Sequence, residues 1–236
     1  MTARSPDHAK RLAGIRAADM VEDGMVVGLG TGSTVFFAME RLSERISAGL
    51  EFTGIPTSFQ AAIRARELSI PLSDLDAHPL LDLALDGADQ VDPHRRLIKG
   101  RGAALTREKC VASSAKSLVI VVDSGKQVEC LSAPVPVEVI PFAVTPAALA
   151  IQNAGGTPVL RNGVAKDGPV ITDNGNFILD CRFSRIREPE RLESFLTGIP
   201  GVLECGLFTG FCPKTTVVVG EGEGCRVIQG RTDQGI

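Results

Sequence analysis

Apolar runs and segments of helical period alternate along the first half of the chain. Short apolar runs bounded by glycine or proline are typical of buried strands, which are predicted at 25–30, 51–56, 81–86 and 117–124. Between them apolar residues recur every three or four positions, so helices are predicted at 33–49, 58–70 and 103–116. Strands alternating with helices of this length favour a largely parallel sheet covered on both faces.

A further helix is predicted before the first strand. Ser5 is a suitable N-cap, Pro6 suits the first helical position, and Asp7 interacts favourably with the positive end of the helix dipole. We expect this helix to run to about Val21 and to end before Gly24.

The pattern changes in the proline-rich segment 131–143, which indicates a crossing into a second unit. In that unit strands are predicted at 137–140, 157–161 and 202–208, helices from Thr145 and at 188–197, and a hairpin around a turn at Asp173–Asn176. The tail 215–230 is predicted to form a hairpin that returns to the first sheet. The predicted domains are a main domain of residues 1–130 and 208–236 and a small α+β domain of residues 131–207.

Composition narrows the classes of function. A net charge of −3 and the absence of Trp and Tyr argue against binding to nucleic acid or to an anionic membrane. The N-terminus has no apolar core of a signal peptide, and the apolar run 118–122 is too short to span a bilayer. Six cysteines without a CxxC pair and three histidines without HxxxH spacing favour free thiols in the cytoplasm, with no bound metal or redox cofactor.

The first candidate motif is GLGTGSTV at 28–35, between a predicted strand and a predicted helix. Gly30 and Gly32 let the backbone approach a ligand, the helix start attracts an anion, and Thr31, Ser33 and Thr34 add hydroxyl groups. A dinucleotide site fits less well because Ser33 replaces the third glycine of GxGxxG, and no GK[ST] of a Walker loop follows. The motif favours a small phosphorylated ligand, and the alternative is a plain strand-to-helix turn.

Two more motifs place charged residues among small ones. Asp86 and Asp89 in DGAD end an apolar strand, where an open parallel sheet borders its ligand crevice. Lys99 and Glu108 lie in KGRGAALTREK, and a lysine can stabilise an oxyanion while a desolvated glutamate can act as a general base. Each motif alone is also compatible with an ordinary turn or a solvated helix. Together they suit metal-free proton transfer beside a carbonyl, as in aldose–ketose isomerisation through an enediol.

The ordered motifs resemble those of type A ribose-5-phosphate isomerase. The segments that carry the resemblance are GLGTGSTV, LDGADQVD, IKGRGAALTREKCVA, DSGKQV, PVPVEVIPFA, GNFILDCRF and IPGVLECGLF. The resemblance covers nearly the whole chain. It implies an α/β fold, with a Rossmann-like main domain and a small ferredoxin-like α+β domain, and a homodimer or homotetramer. It also implies interconversion of D-ribose 5-phosphate and D-ribulose 5-phosphate in the pentose phosphate pathway without a metal.

The resemblance assigns roles to particular residues. Glu108 matches the catalytic base, Asp86 matches the acid that opens the sugar ring, and Lys99 matches the lysine that stabilises the enediolate. Lys10 and Lys126 match lysines at the phosphate end of the site. The remaining expected contacts with the substrate are Gly30, Thr31, Gly32, Ser33, Thr34, Gly87, Ala88, Asp89 and Gly100.

Some positions depart from the family pattern or carry no assigned role. Arg101 replaces a common glycine and is expected to project into solvent, and Gly125, just before Lys126, stands where another residue is common in the family. Cys110 is expected to be a buried helix residue. Two alternatives remain open: a related isomerase or deaminase such as a glucosamine-6-phosphate deaminase, and a non-catalytic sugar-phosphate sensor.

Overall fold

A computed structural model describes residues 6–229 of the chain. The helices are α1 (Pro6–Ala18), α2 (Ser33–Ser47), α3 (Phe59–Glu67), α4 (Leu105–Ser114), α5 (Val144–Asn153) and α6 (Pro189–Thr197). The strands are β1 (Val26–Leu29), β2 (Thr53–Pro56), β3 (Leu81–Gly87), β4 (Gln90–Val91), β5 (Leu97–Ile98), β6 (Ala115–Asp123), β7 (Val135–Val139), β8 (Thr157–Leu160), β9 (Phe177–Arg182), β10 (Val202–Cys205), β11 (Leu207–Phe208), β12 (Thr215–Glu221) and β13 (Gly224–Ile228). These elements confirm the predicted alternation, while the predicted cap Ser5 lies outside the described residues.

Tertiary contacts divide the chain into two compact units, and the division passes through α4 between Thr106 and Arg107. Unit 1 holds the described residues up to Ala88, the segment Arg107–Gln127 and the described residues from Phe211 onward. Unit 2 holds Asp89–Thr106 and Val128–Gly210. The domain boundaries near residues 130 and 208 stay a prediction about independently folding domains.

Unit 1 is built on a six-stranded sheet with the order β13-β12-β6-β3-β1-β2. Every neighbouring pair is parallel except the hairpin of β12 and β13 at one edge. The predicted mostly parallel sheet is therefore confirmed, and the tail returns to it as expected. Apolar residues fill the central strands because both faces are covered: in β6, five consecutive residues from Leu118 to Val122 are buried.

Unit 2 contains a four-stranded antiparallel sheet with the order β10-β7-β9-β8, accompanied by α5 and α6. Its apolar core includes Val137, Ala147, Ile151, Leu179 and Leu196. The alternating apolar residues of β7 and β9 meet those of the two helices, which is the arrangement of an α+β unit. A second, three-stranded sheet of unit 2 has the order β11-β5-β4.

A buried carboxylate organises the turn that precedes β9. Glu138 of β7 has no exposed surface, and its oxygens accept hydrogen bonds from the Thr172 hydroxyl at 2.7 Å and the Asn176 amide at 2.9 Å. The Thr106 hydroxyl donates to the same carboxylate at 2.5 Å. A carboxylate has about four acceptor sites, so donors such as these satisfy a group that would otherwise be costly to bury. These polar contacts tie the turn to β7.

Two parts of the sequence prediction for unit 2 are wrong in detail. The first arm of the hairpin around Asp173–Asn176 contributes only an isolated bridge between Ile171 and Phe177, because its polar groups turn inward toward Glu138. The strand predicted at 202–208 is split at Gly206 into β10 and β11, which belong to different sheets.

Within residues 6–229, no helix combines the length and the apolar character needed to cross a membrane.

Candidate active site

The predicted residues of unit 1 follow strands that end at one edge of the parallel sheet. Leu29 at the end of β1 pairs with Leu85 in β3, and Gly87 at the end of β3 pairs with Val121 in β6. β1 leads to β2 on one side and its neighbour β3 leads to β6 on the other, so the connections after these two adjacent strands run in opposite directions along the sheet. Such a switch point opens a crevice at the carboxyl ends of the strands, and this is where open α/β sheets bind ligands.

The glycine turn after β1 approaches the carboxylate of Asp86 very closely. The Gly30 amide donates to the Leu85 carbonyl at 2.8 Å. A Cβ atom on Gly30 would lie 2.1 Å from Asp86 Oδ1 and 2.7 Å from the Leu85 carbonyl oxygen. Only glycine therefore fits beside Asp86, and the structure brings these two predicted site residues together.

The first turn of α2 is open to an anion. Gly32 is the N-cap residue with φ 128°, and its lack of a side chain leaves no cap over the first amides of the helix. Ser33 is exposed and Thr34 is half-buried. Amides at a helix start attract negative charge through their unsatisfied N–H groups and the helix dipole.

The hydroxyl of Thr31 is tied to the turn that follows β2. Thr31 Oγ1 shares hydrogen bonds with Thr57 Oγ1 at 3.0 Å and with Ser58 Oγ at 2.6 Å. Ser58 also caps α3 by accepting from the Ala61 amide at 3.0 Å. Thr31 therefore links two turns of the same sheet edge, and a ligand oxygen would join an existing hydroxyl cluster.

A cavity of about 380 Å³ opens beside the glycine turn within unit 1. Gly30–Ser33 line it on one side, and Phe36, Gln60 and Arg64 line it on the other. Asp86 and Glu108 are not among its lining residues. The cavity thus reaches one part of the predicted site, at the start of α2.

The two predicted catalytic acids of unit 1 are buried. Asp86 and Glu108 are each 4% exposed, and Asp86 Oδ1 accepts a hydrogen bond from the Gly87 amide at 2.8 Å. Glu108 lies in α4, whose Val111 packs against Gly28 of β1. Because α4 ends where β6 begins, its first turns extend toward the carboxyl edge of the sheet. Carboxylates are rarely buried without partners or a function, so burial favours a chemical role for both.

Lys10 and Lys126 approach the same sheet edge from different elements. Lys126 ends a short 3₁₀ helix that directly follows β6, and the Asp123 carboxylate accepts from the Gly125 amide at 3.0 Å within that turn. Lys10 is half-buried on α1, and its Nζ lies 3.4 Å from Asp7 Oδ1. Asp7 is itself a lining residue of the cavity beside the glycine turn.

The other predicted residues, Asp89, Lys99 and Gly100, lie in unit 2. Lys99 is 3% exposed, its amide donates to the Gly206 carbonyl at 2.9 Å, and its Nζ lies 5.5 Å from the centre of the Phe208 ring. The Asp89 carboxylate accepts from the Arg101 amide at 3.0 Å. The structure therefore brings Asp89 to the segment that carries Lys99 and Gly100.

The outcomes for Arg101 and Cys110 differ. Arg101 is exposed, as expected. The expectation that Cys110 is buried is wrong, because its side chain is exposed. The buried face of α4 is formed by Leu105, Glu108 and Val111, and position 110 falls on the opposite face of a helix with 3.6 residues per turn.

Sequence reasoning missed several polar residues around these segments. Thr57 and Ser58 are buried hydroxyl residues directly after β2, and a polar pair at the end of a predicted strand was the available signal. Arg161 and Asp180 had no local signal in the sequence. Among the described side chains, Glu193, Glu204 and Cys205 form a group of potential metal ligands within 4.8 Å of one another, and none of them is a predicted site residue.

Comparison with known proteins identifies close relatives. A family model described as ribose 5-phosphate isomerase A (phosphoriboisomerase A) matches residues 53–224. The chain is 57% identical to ribose-5-phosphate isomerase A of Methanoregula boonei over 227 residues, which cover 96% of each chain. It is 52% identical to the protein of that name from Thermosynechococcus vestitus over 216 residues, covering 90% of this chain and 91% of the relative.

Solved structures agree with these relatives. Ribose 5-phosphate isomerase A of Methanocaldococcus jannaschii superposes with a TM-score of 0.91 at 42% identity, covering 95% of this chain and 100% of that chain. A D-ribose-5-phosphate isomerase in complex with phospho-erythronic acid superposes with a TM-score of 0.92 at 43% identity, covering 96% of this chain and 100% of that chain. Sequence and structure therefore point to the same relatives.

Proposed function

The chain belongs to the ribose 5-phosphate isomerase A family, and we propose on that ground that it interconverts D-ribose 5-phosphate and D-ribulose 5-phosphate. The observation that carries the proposal is 57% identity to a ribose-5-phosphate isomerase A across 96% of both chains. Family members that share this much sequence over their full length commonly share a reaction. The pentose phosphate pathway is the corresponding metabolic setting.

The chemistry assigned to Glu108 is transfer of one proton between two carbons. Its carboxylate removes the proton from C2 of the open-chain aldose as O1 gains a proton to form the enediol. The O2 hydroxyl loses its proton as the enediol becomes a ketose, so that one proton is exchanged from O2 to O1 overall. Glu108 then delivers its proton to C1. Burial supports this role, because carboxylates are rarely buried unless they have partners or a chemical function.

Asp86 and Lys99 complete the proposed chemistry. Asp86 opens the furanose by moving a proton between the O1 hydroxyl and the ring oxygen. Lys99 stabilises the negative charge that develops on the enediolate oxygens. The 4% exposure of Asp86 and the 3% exposure of Lys99 support these assignments, since buried charges act on a ligand with little screening by water.

The phosphate end of the substrate is assigned to unit 1. The open first turn of α2, with the hydroxyls of Ser33 and Thr34, offers donors to the phosphate oxygens. Lys10 and Lys126 supply positive charge. A relative was solved in complex with phospho-erythronic acid, which supports a phosphate subsite in this family.

Gly87, Ala88, Asp89 and Gly100 complete the proposed substrate contacts. The three small residues leave room for the sugar against the backbone, and Asp89 accepts hydrogen bonds from sugar hydroxyls. Gly87 and Ala88 are half-buried and Gly100 is buried, which fits residues that a ligand covers rather than bulk solvent.

The cytoplasmic location and the homodimer or homotetramer are parts of the same proposal. The predicted free thiols support the location, and the family resemblance supports the assembly. The related deaminase and the sugar-phosphate sensor are not favoured, because the matching family and the relatives named above are ribose-5-phosphate isomerases.

The test is turnover by the purified chain in the presence of EDTA. We expect conversion of ribose 5-phosphate to ribulose 5-phosphate, and far slower conversion of glucose 6-phosphate or glucosamine 6-phosphate. Binding of ribose 5-phosphate by folded protein without turnover would support the sensor instead. Release of ammonia from the amino sugar at the faster rate would support the deaminase, and turnover that requires added metal would overturn the metal-free proton transfer.

A further inference from the structure

A single guanidinium group supports the segment that carries Lys99. Arg161 follows β8, and its Nε and Nη2 donate to the two oxygens of Asp180 at 2.9 and 2.5 Å. Its Nη1 donates to the carbonyl oxygens of Gly100 and Arg101, both at 3.0 Å. The side chain of Arg161 is 15% exposed, so these contacts are largely shielded from water.

The backbone from Lys99 to Arg101 is held from several sides within unit 2. The Lys99 amide donates to the Gly206 carbonyl, and the Arg101 amide donates to the Asp89 carboxylate. Arg161 donates to the carbonyls of the two residues that follow Lys99. The paired strand β5 precedes Lys99 directly. Arg161 is therefore the side chain that donates to both of these carbonyls.

The turn adopts a conformation that needs such support. Gly100 has φ 103°, and Ala103 has φ 59° although it carries a Cβ atom. A residue with a Cβ atom, such as Ala103, persists in this region only where its surroundings hold it, whereas glycine adopts it freely. Without Arg161, two carbonyls would lose a charged donor in a turn that is already strained.

We propose that Arg161, oriented by Asp180, is a positioning residue for Lys99 in the isomerisation. It fixes the backbone of Gly100 and Arg101 and so holds Lys99 where its ammonium meets the developing negative charge. This inference rests on the proposed function, because it assumes the catalytic role of Lys99. Arg161 itself is assigned no contact with the substrate.

Arginine is suited to this task and lysine is not. The planar guanidinium offers five N–H donors in a fixed fork, so it binds a carboxylate with one edge and carbonyls with the remaining group. The two-atom contact with Asp180 sets the plane of the guanidinium and thereby the direction of Nη1. A lysine at position 161 would keep the charge, but it could not bind the carboxylate and both carbonyls at the same time.

The test compares Arg161→Lys with Arg96→Lys in the full chain. Arg96 is a matched control because it also lies in unit 2 and binds carboxylates, at 2.6 Å from Asp92 and 3.0 Å from Glu190. The measurements are kcat and KM on ribose 5-phosphate, the unfolding midpoint, and amide hydrogen exchange in the peptide 97–105.

We expect Arg161→Lys to lower kcat by about 10-fold to 10²-fold, the cost of a small misplacement of a catalytic group, while KM changes by less than about threefold. Exchange in the peptide 97–105 should rise. Arg96→Lys should leave kcat within about twofold of wild type, even if its unfolding midpoint falls as far as that of Arg161→Lys. A kcat for Arg161→Lys equal to wild type, or equal losses of kcat in the two variants, would overturn the inference.

A second variant covers the case in which Arg161→Lys does not fold. Asp180→Asn keeps the guanidinium and loosens its orientation, so kcat should fall in the same direction by a smaller factor, and unchanged kcat would again overturn the inference. Failure of the proposed function is distinguishable, because wild type itself would then show no turnover. Amide exchange would then decide alone: unchanged protection of the peptide 97–105 in Arg161→Lys would contradict the positioning role.

Discussion

At the scale of single residues, the closest packing at the proposed site is between the backbone of Gly30 and the carboxylate of Asp86. A glycine turn after a strand is readable in the sequence, and GLGTGSTV predicted it. The reason for glycine at position 30 is not readable there. Asp86 lies 56 positions later in the chain, and it reaches Gly30 only because β3 pairs with β1. A local pattern predicts a turn and cannot predict which neighbouring strand fills the space beside it.

Gly30→Ala should therefore be costly. The new methyl carbon would lie 2.1 Å from Asp86 Oδ1 and 2.7 Å from a backbone oxygen, so either the carboxylate or β1 must shift. We expect a loss of about 1–3 kcal/mol in the free energy of unfolding, typical of overpacking, together with a large loss of kcat. Denaturant unfolding measures the loss of stability, and the isomerase assay measures the loss of kcat. Gly224→Ala is the control, since a Cβ there meets no atom within 4 Å, and equal stability of the two variants would contradict the packing argument.

At the scale of elements, the sequence predicted those segments that have enough residues to show a period. Helices of nine or more residues and the apolar strands β1, β3 and β6 were all predicted within a few positions. The two-residue strands β4 and β5 were missed because two residues carry no alternation, and β11 was predicted only as the end of one longer strand at 202–208. The break at Gly206 was missed because it depends on the Pro136 and Lys99 backbones, with which Gly206 pairs at 2.7 and 2.9 Å.

Three central strands of unit 1 are joined near their first residues by the Asp82 carboxylate of β3. It accepts from the Lys116 ammonium at 2.8 Å and from the Val26 amide at 3.0 Å. The hydrogen bond from Lys116, followed by that from Val26, lowers the pKa of Asp82 below its ordinary value. A folded-state pKa below the unfolded value means that the contribution is complete above about pH 4 and is lost as the pH falls through the folded pKa.

Asp82→Asn should accordingly destabilise the protein in a pH-dependent way. We expect a loss of about 1 kcal/mol in the free energy of unfolding at pH 7, which narrows as the pH is lowered below about 4. Urea unfolding at several pH values measures it. Asp76→Asn, at an exposed residue, should show no such dependence. If the free energies of unfolding of wild type and Asp82→Asn differ by the same amount from pH 7 to pH 3, the charge of Asp82 is not what stabilises this edge.

At the scale of the whole molecule, the sequence predicted the fold class, whereas the grouping of contacts into two units depends on pairings between distant segments. The segment Asp89–Thr106 was assigned to the main domain by its position after β3, yet its contacts group it with unit 2. This grouping follows from pairings of β5 with β11, which are distant in sequence. Such long-range pairings leave no trace in local composition, so the family resemblance carried the site prediction further than the pattern did.

The distribution of exposed and buried thiols across the molecule provides a test of the core of unit 2. Cys181 and Cys205 are buried in unit 2, and burial, followed by the nearby Asp180, raises the pKa of Cys181 to about 12. A buried thiol with a raised pKa forms little thiolate and reacts slowly. We therefore expect a thiol reagent at pH 8 to label the exposed Cys110, Cys130 and Cys225 in the native protein. Mass spectrometry locates the label, and rapid native labelling of Cys181 would contradict the packing of unit 2.

The proposed reaction depends most on Glu108 as the base, and one comparison of rates tests that role directly. Ribose 5-phosphate is supplied to wild type and to Glu108→Gln in the presence of EDTA, with Glu129→Gln as the control at an exposed glutamate. Glutamine keeps the shape and cannot accept the C2 proton, so kcat should fall by about 10² to 10⁴-fold with a modest change in KM and unchanged folding. The control should match wild type. Near-normal turnover by Glu108→Gln would contradict the proton-transfer role of Glu108.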